Sequence, residues 1–235
     1  MKKKVAISQS NYIPWKGYFD LINSVDEFIF YDDMQFTKRD WRNRNLIKTK
    51  DGIKWLTIPV EVKGKFYQKI NETRISDSNW GKSHWESIVH SYSRAEYFNE
   101  FKDIFEDLYL NTKTEMLSVI NFNFIKHVSE ILGIKTKLSW SSDFILTGGK
   151  TERLVNLCRQ LGATSYYTGP AAKEYLNKDD FKKNNIELVY FDYSGYSAYR
   201  QLWGEFEHKV TVLDLIFNEG SNAFKFMKSF KTLMS

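Results

Sequence analysis

Short apolar runs alternate with amphipathic stretches at both ends of the 235-residue chain. Near the amino terminus, residues 5–8 have the pattern of a buried strand, 18–24 that of a short helix, and 27–31 that of a second strand. This order predicts the opening of a parallel sheet. In such sheets ligands bind beyond the carboxyl ends of the strands. The segments that follow the two strands, 9–17 and 32–44, are therefore expected at one ligand-binding edge.

The pattern of apolar and polar positions also predicts the elements in the rest of the chain. Stretches of β-forming residues separated by turn signals predict a small β-hairpin or meander inserted at about 46–75. Helical spacing then predicts a helical segment at about 79–133. The last third returns to α/β alternation, with strands expected at 136–140, 165–168 and 186–191, helices at 150–161 and 170–176, and two packing helices within 211–230. The predicted fold is one three-layer α/β domain over residues 1–235 with a mostly parallel sheet.

The composition narrows the class of protein. Apolar residues make up 42% of the chain, charged residues 27% and aromatic residues 17%. The apolar and charged fractions are typical of globular proteins and exclude intrinsic disorder. The single cysteine, Cys158, excludes a disulfide framework and a cysteine-based zinc site. No apolar run reaches the roughly 18–20 residues of a membrane span, and the apolar stretch after Lys4 is too short for a signal peptide. We therefore expect a cytoplasmic protein.

The net charge of +5 is concentrated in one segment. Residues 36–50 contain six basic residues against Asp40 alone, so this segment has a charge of +5 and the rest of the chain is neutral on balance. One interpretation is a solvated loop. The other is a site for a phosphate or diphosphate, because arginine binds phosphate oxygens in a bidentate manner.

Two polar and aromatic clusters follow the first two predicted strands. Amides and aromatic rings after a buried strand suit recognition of a sugar or base, although the aromatic rings could also just cap the sheet. In this first cluster the candidate substrate-binding residues are Gln9, Asn11, Tyr12, Trp15 and Lys16. In the second cluster they are Gln35, Lys38, Arg39, Trp41, Arg42, Asn43 and Arg44. The adjacent carboxylates Asp32 and Asp33 could bind a metal, act as a base or hold an ammonium group.

His84 opens a predicted helix and is a candidate acid or base if it faces the cleft, whereas a lone histidine is more often structural. No metal site is expected, because no His-based zinc motif is present. The run Gly148-Gly149-Lys150-Thr151 resembles the end of a phosphate-binding loop, but Ile145 stands where that motif needs a glycine. A helix N-cap explains this run better.

The run Trp15-Lys16-Gly17-Tyr18 occupies the place, after the first strand, where nucleotidylyltransferases and pantothenate-synthetase-like ligases carry His-x-Gly-His. This resemblance implies a nucleotidyltransferase/HUP-like layout of the sheet. Both histidines are replaced here, by Trp15 and Tyr18. Since those histidines bind and polarise phosphates, their replacement argues against adenylyl transfer.

Three segments together resemble the WbqC-like protein family. They are SQSNYIPWKGYFD at 8–20, YDDMQFTKRDWRNR at 31–44 and TGPAAKEYL at 168–176, the last of which adds Gly169 to the substrate-binding candidates. Members of that family are encoded in bacterial surface-polysaccharide clusters, notably O-antigen clusters that make acylated amino sugars. The resemblance implies a nucleotide-linked sugar as ligand and modification of a sugar amine as the reaction.

Two hypotheses follow. The first is an N-acyl or N-aminoacyl transferase that acts on a dideoxy amino sugar attached to a nucleoside diphosphate. Arg39, Arg42 and Arg44 would hold the diphosphate, Gln9, Asn11 and Gln35 would fix hydroxyls, and Asp32, Asp33 or His84 would take the proton of the sugar ammonium. The acyl donor is open between a thioester such as an acyl-CoA, a charged tRNA, and ATP with an amino acid. No resident cofactor is assigned.

The second hypothesis is a non-catalytic module that binds a nucleotide sugar, polysaccharide-assembly partners or, less favoured, nucleic acid. An extended nucleic acid is not expected, because the basic stretch is short and no nucleic-acid-binding fold is recognisable. The sequence does not indicate the oligomeric state.

Overall fold

Five short strands form one parallel sheet in the computed structural model, which describes residues 2–232. In chain order they are β1 (Lys4–Ser8), β2 (Glu27–Phe30), β5 (Lys137–Trp140), β6 (Ser165–Thr168) and β7 (Glu187–Tyr190). Their order across the sheet is β5-β2-β1-β6-β7, and every neighbouring pair is parallel. The sequence-based prediction of an α/β fold with a mostly parallel sheet is therefore confirmed.

Helices cover both faces of this sheet, because the strands are apolar on both sides. The helices are α1 (Lys16–Asn23), α2 (Trp80–Tyr92), α3 (Phe98–Leu110), α4 (Leu117–Ile131), α5 (Lys150–Gln160), α6 (Lys178–Lys183), α7 (Val212–Glu219) and α8 (Lys228–Thr232). On β1, Val5 and Ile7 pack with side chains of α5 and α6, whereas Ala6 belongs to the larger core built with α1 to α4 and α7. Strand alternation thus divides the apolar side chains between two cores.

The inserted β-structure is smaller than the sequence pattern predicts. A two-stranded antiparallel hairpin is formed by β3 (Arg44–Thr49) and β4 (Gly52–Thr57). The rest of the predicted insertion, after Thr57, forms no further strand and makes only single bridges, Gln35 with Lys69 and Val60 with Ile75. A short 3-10 turn at Ile70–Glu72 interrupts the extended backbone there. The backbone of this stretch is irregular, and its apolar side chains pack against the larger core.

Two further elements differ from the prediction. The helix expected at 170–176 is a short 3-10 helix, Pro170–Glu174, and α6 was not predicted. Nothing in the structure tests the prediction of one domain over residues 1–235, which stays a prediction. Within residues 2–232 no helix combines the length and the apolar composition needed to cross a membrane.

Glu27 links three neighbouring strands of the sheet. Its carboxylate is buried and accepts hydrogen bonds from Lys3 Nζ at 2.8 Å and Ser139 Oγ at 2.6 Å, and Lys137 Nζ lies at 2.9 Å. Burial alone would raise the pKa of Glu27, but the hydrogen bonds from Lys3, Ser139 and Lys137 lower that pKa to about 2. The ionised carboxylate therefore holds β1, β2 and β5 together.

Glu27→Gln removes this charge while keeping the shape of the side chain. We expect the substitution to lower the free energy of unfolding by about 1–2 kcal/mol at pH 7, a value discounted for the half-exposed lysines. Because the folded pKa lies below the ordinary value of 4.5, the advantage of the wild type should be lost as the pH falls from 4.5 towards 2. Urea unfolding between pH 7 and pH 2.5 measures this difference in the free energy of unfolding, and Glu86→Gln, at an exposed position, is the control. An advantage that persists at pH 2.5 would contradict the assignment.

Candidate functional site

The order of the strands reverses beside β1. The chain passes from β1 outward through β2 to β5 and then returns to the other side for β6 and β7. A crevice forms at the carboxyl ends where the connections diverge, and this is where open α/β sheets bind ligands. The structure has a cleft of about 710 Å³ at this place.

The floor of the cleft is apolar and its walls are polar. Ile7, Met34, Leu154 and Ala172 supply apolar surface, and the polar and aromatic lining residues are Ser8, Gln9, Tyr31, Tyr166, Thr168 and Tyr175. A cleft of this volume and character is typical of a small-molecule site. Three residues predicted to bind substrate line it, namely Gln9, Gly169 and Arg42.

The cleft is positively charged. Arg42, Lys150 and Arg153 line it, and no aspartate or glutamate is among its lining residues in the described part of the chain. Arg153 Nη2 donates to the carbonyl of Gly148 at 3.3 Å, whereas its Nε is buried and has no hydrogen-bond partner within residues 2–232. The other guanidinium N–H groups of this cleft-lining side chain can donate to an anionic ligand.

Helix α5 brings two of these cations to the cleft. Gly148 has a positive φ of 94°, and a Cβ there would lie 2.6 Å from the Glu152 side chain. Glu152 in turn accepts a hydrogen bond from the Gly149 backbone N–H at 3.2 Å, which satisfies one backbone donor at the start of the helix. This local geometry directs the first turn of α5, with Lys150 and Arg153, to the carboxyl edge of the sheet.

Arg42 reaches the cleft from the turn that precedes the hairpin. Its guanidinium donates to Asn11 Oδ1 and lies 3.6 Å from the Asp40 carboxylate. Asn11, another predicted binding residue, therefore positions a cleft cation from the first cluster. Asp40 neutralises part of its charge.

Tyrosines on the cleft wall are neutral at physiological pH. Burial raises the pKa of Tyr31, and the neighbouring Arg153 guanidinium partly offsets this. Burial also raises the pKa of Tyr166, whose hydroxyl donates to the Ile7 carbonyl at 3.4 Å. The Tyr31 hydroxyl can donate a hydrogen bond to a ligand, whereas the proton of the Tyr166 hydroxyl is already donated to Ile7. Neither hydroxyl supplies a base near neutral pH.

The two predicted carboxylates have different environments. Asp32 is buried and accepts from the Ser10 backbone N–H at 2.7 Å and from the Ser118 hydroxyl. Asp33 keeps 14% of its side chain exposed, accepts from Ser141 Oγ and Asn71 Nδ2, and lies 3.9 Å from Lys69 Nζ. Asp32 therefore has a structural environment, whereas Asp33 is open to solvent. Within residues 2–232 no group of three or more His, Cys, Asp or Glu side chains is arranged to hold a metal ion.

His84 lies in a buried hydrogen-bond chain and not among the residues that line the cleft. Its Nε2 donates to the Thr57 carbonyl at 3.2 Å, so Nδ1 is the acceptor for the Tyr12 hydroxyl at 2.8 Å. Tyr12 is also 2.9 Å from the Tyr109 hydroxyl. The pKa of His84 is lowered to about 4, mainly by burial. The hydrogen bond to the Thr57 carbonyl raises the pKa, and the nearby Lys54 charge lowers it. This placement favours a structural role for both Tyr12 and His84.

Trp15 and Lys16 pack against the C-terminal part of the chain. The Trp15 ring contacts Tyr193 and Tyr196, each with centroids 5.5 Å apart. Lys16 is buried, donates to the Ser197 carbonyl at 3.0 Å, and is surrounded by the rings of Tyr196, Tyr199 and Phe206.

The other predicted residues are dispersed. Gln35, Lys38 and Arg39 are exposed. Asn43 is buried and donates to the Ile58 carbonyl at 2.8 Å. The Arg44 guanidinium stacks 4.0 Å from the Trp55 ring, which also contacts Trp41.

Sequence reasoning missed several lining residues, above all Lys150, Arg153 and Tyr31. A signal for the first two was present. A helix that follows a strand of a parallel sheet begins at the carboxyl edge, and the predicted helix at 150–161 follows a predicted strand. The run at 148–151 was correctly explained as a helix start, and this start lies at the cleft.

The protonation of His84 can be tested directly. We expect its ring to stay neutral with hydrogen on Nε2 from pH 8 down to about pH 5, because burial lowers its pKa to about 4. Nitrogen-15 NMR of the histidine rings measures the tautomer and the titration, and His84→Gln identifies the resonance by its loss. A midpoint above pH 6 would instead support an accessible acid or base.

Comparison with known proteins shows which family this chain resembles. The model of the WbqC-like protein family matches residues 9–226. Uncharacterized protein Rv1507c of Mycobacterium tuberculosis (strain ATCC 25618 / H37Rv) is 53% identical over 221 residues, which cover 94% of this chain and 96% of the relative. No solved structure matches the chain. The match spans both predicted binding clusters and the start of α5, and the chain belongs to the WbqC-like protein family.

Proposed function

We propose that the cleft binds the diphosphate of a nucleotide-linked amino sugar and that the protein transfers an acyl or aminoacyl group to the sugar amine. The observation that carries the binding step is the set of three cations at the point where the strand order reverses. A diphosphate offers several anionic oxygens at a spacing that guanidinium groups bind in a bidentate manner. The Arg153 side chain, which lines the cleft, supplies guanidinium N–H donors for such an oxygen.

The topology supports a nucleotide as the rest of the ligand. Numbered along the chain, the strands of the sheet follow the order 3-2-1-4-5. Doubly wound sheets with this order bind nucleotides at the reversal, with phosphates near helix N-termini. We therefore keep the nucleotidyltransferase/HUP-like layout as part of the proposal. Adenylyl transfer is not included, since Trp15 and Tyr18 replace the phosphate-binding histidines.

The reaction needs a free amine. Once the sugar ammonium loses a proton, its nitrogen attacks the acyl carbon, a new amide bond forms, and the bond from that carbon to the donor oxygen or sulfur breaks. The donor leaves with a proton as an alcohol, thiol or phosphate, according to whether it is a charged tRNA, a thioester such as an acyl-CoA, or an aminoacyl adenylate formed from ATP. O-antigen amino sugars are the substrate class that the family resemblance implies.

Asp33 is the proposed proton acceptor. It follows the cleft residue Tyr31 by two positions and precedes Met34, which also lines the cleft. Its partly exposed carboxylate is held by Ser141 and Asn71, so its orientation is fixed. Asp32 then acts as a positioning residue through its bond to the Ser10 backbone.

A second candidate function is binding of the nucleotide sugar without catalysis. The observation that favours it is that no carboxylate or imidazole is among the lining residues of the cleft in the described chain. Both candidates share the ligand and differ in the fate of the amine.

The binding step predicts a specific loss of affinity. Arg153→Gln and Arg42→Gln should each raise the Kd for a uridine or thymidine diphosphate sugar about tenfold or more, because each removes a charge-assisted hydrogen bond. Isothermal titration calorimetry measures this. Arg159→Gln, at the other end of the same helix, is the matched control and should leave the Kd unchanged. Equal Kd values for Arg153→Gln and Arg159→Gln would argue against phosphate binding in the cleft.

The transfer step is tested with nucleotide-linked 4-amino sugars and a panel of the three donor classes. We expect a mass gain on the sugar with one donor class, and a rate about 100-fold or more lower for Asp33→Asn at unchanged Kd. Mass spectrometry and calorimetry supply the two readings. Tight binding without a mass gain from any donor would support the binding module instead.

A further inference from the structure

Two adjacent aromatic side chains stand in solvent on an inserted loop. Phe66 is 71% exposed and Tyr67 is 84% exposed. Their rings contact each other edge to face, with centroids 5.0 Å apart. Side chains of this size are usually buried, and a paired exposure marks a surface with a partner. We call residues 61–69 the aromatic loop.

Hydrogen bonds hold the aromatic loop in place. The Lys65 backbone N–H donates to the Val62 carbonyl at 3.3 Å, and the Gln68 N–H donates to the Lys65 carbonyl at 3.2 Å. The Gln35 side chain donates to the Phe66 carbonyl at 2.7 Å. The two rings are therefore displayed by a fixed turn, which lowers the conformational entropy lost when they bind a partner.

The aromatic loop stands at the edge of the sheet where the cleft lies. Backbone N–H groups of Ile70 and Phe36 donate to the carbonyls of Met34 and Gln68, each at 2.9 Å. Met34 lines the cleft. The strand-like pairing of these two segments thus ties the base of the loop to the cleft wall.

The loop is also basic. Lys63, Lys65 and Lys69 are exposed, and the single acidic residue within 61–69, Glu61, pairs with Lys65. Lys69 lies 3.9 Å from the Asp33 carboxylate at the base of the loop. Three lysines against one glutamate give the aromatic loop a charge of +2 around its two rings.

We propose that the aromatic loop binds the surface of an anionic lipid bilayer. Phenylalanine and tyrosine insert into the interfacial region of a bilayer, and flanking lysines are attracted to its anionic headgroups. A protein partner fits less well, because two rings bury about 150–250 Å² each, whereas a stable protein interface needs about 800 Å² on each side. Bilayer binding through this loop places the cleft beside the membrane surface.

This inference does not depend on the proposed function, since the cleft can bind a nucleotide sugar in the absence of a bilayer. The test is co-sedimentation of the protein with vesicles of phosphatidylcholine alone or of phosphatidylcholine with about 30% phosphatidylglycerol, an anionic lipid. The full chain should sediment with the anionic vesicles and much less with the neutral ones. Raising the salt concentration should weaken this binding.

Variants separate the bilayer from other partners. Phe66→Ser/Tyr67→Ser should weaken vesicle binding about tenfold or more, and Lys63→Gln should weaken it about fivefold. Leu110→Ser, which removes a 47% exposed apolar side chain at the end of α3, is the control and should bind as the wild type does. Circular dichroism and thermal unfolding show that each variant is folded.

Three results would overturn the proposal. The first is no sedimentation of the wild type with anionic vesicles. The second is equal binding by the wild type and Phe66→Ser/Tyr67→Ser. The third is a dimer in light scattering that the double substitution dissociates while vesicle binding is absent, which would assign the loop to a second copy of the chain.

Discussion

The reversal of strand order at β1 determines where this protein can bind a ligand. Because β1 pairs with β2 on one side and β6 on the other, the loops that leave β1 and β6 diverge and leave an uncovered crevice. Hydrogen bonding of the strands fixes Ser8 opposite Phe30 and the end of β6 beside β1. The segments that follow these strands must therefore meet at one edge, whatever their side chains. The strand order therefore fixes the position of the cleft, and the side chains at that position determine its chemistry.

Much of this scaffold could be predicted from the sequence. The apolar runs at both ends of the chain have the length of parallel strands, and a parallel sheet places the segments after them at one edge. Gln9 and Arg42, which belong to the segments expected at this edge, line the cleft, and so does Gly169, which the family resemblance added. Lys150 and Arg153 were missed because a motif comparison cannot show which helix start faces the crevice. Local sequence indicates the helix start, and the sheet order determines what it faces.

The basic segment shows why charge along the chain does not define a site. Arg42 lies in the cleft, but Arg44 stacks on Trp55 and Lys48 is buried, with its ammonium donating to Gln201 Oε1 at 2.7 Å. Arg42 lies in the turn before the hairpin, whereas Arg44 and Lys48 lie on β3 itself, so the hairpin carries these two side chains away from the cleft. The cleft instead combines one cation from this segment with two from α5, more than 100 positions later. The positive site is a property of the fold.

The buried carboxylate of Asp32 lowers the stability of the fold but holds residues of the cleft in position. Burial raises the pKa of Asp32, and hydrogen bonds from Ser10 and Ser118 offset part of this. Since the folded pKa is raised, ionisation of Asp32 lowers stability as the pH rises from the unfolded pKa through the folded one. The carboxylate nevertheless fixes the Ser10 backbone between Gln9, which lines the cleft, and Asn11, which holds Arg42. An apolar side chain of about the same size would remove the penalty and also the acceptor that orients both neighbours. The structure therefore exchanges stability for a fixed arrangement of the groups at the cleft.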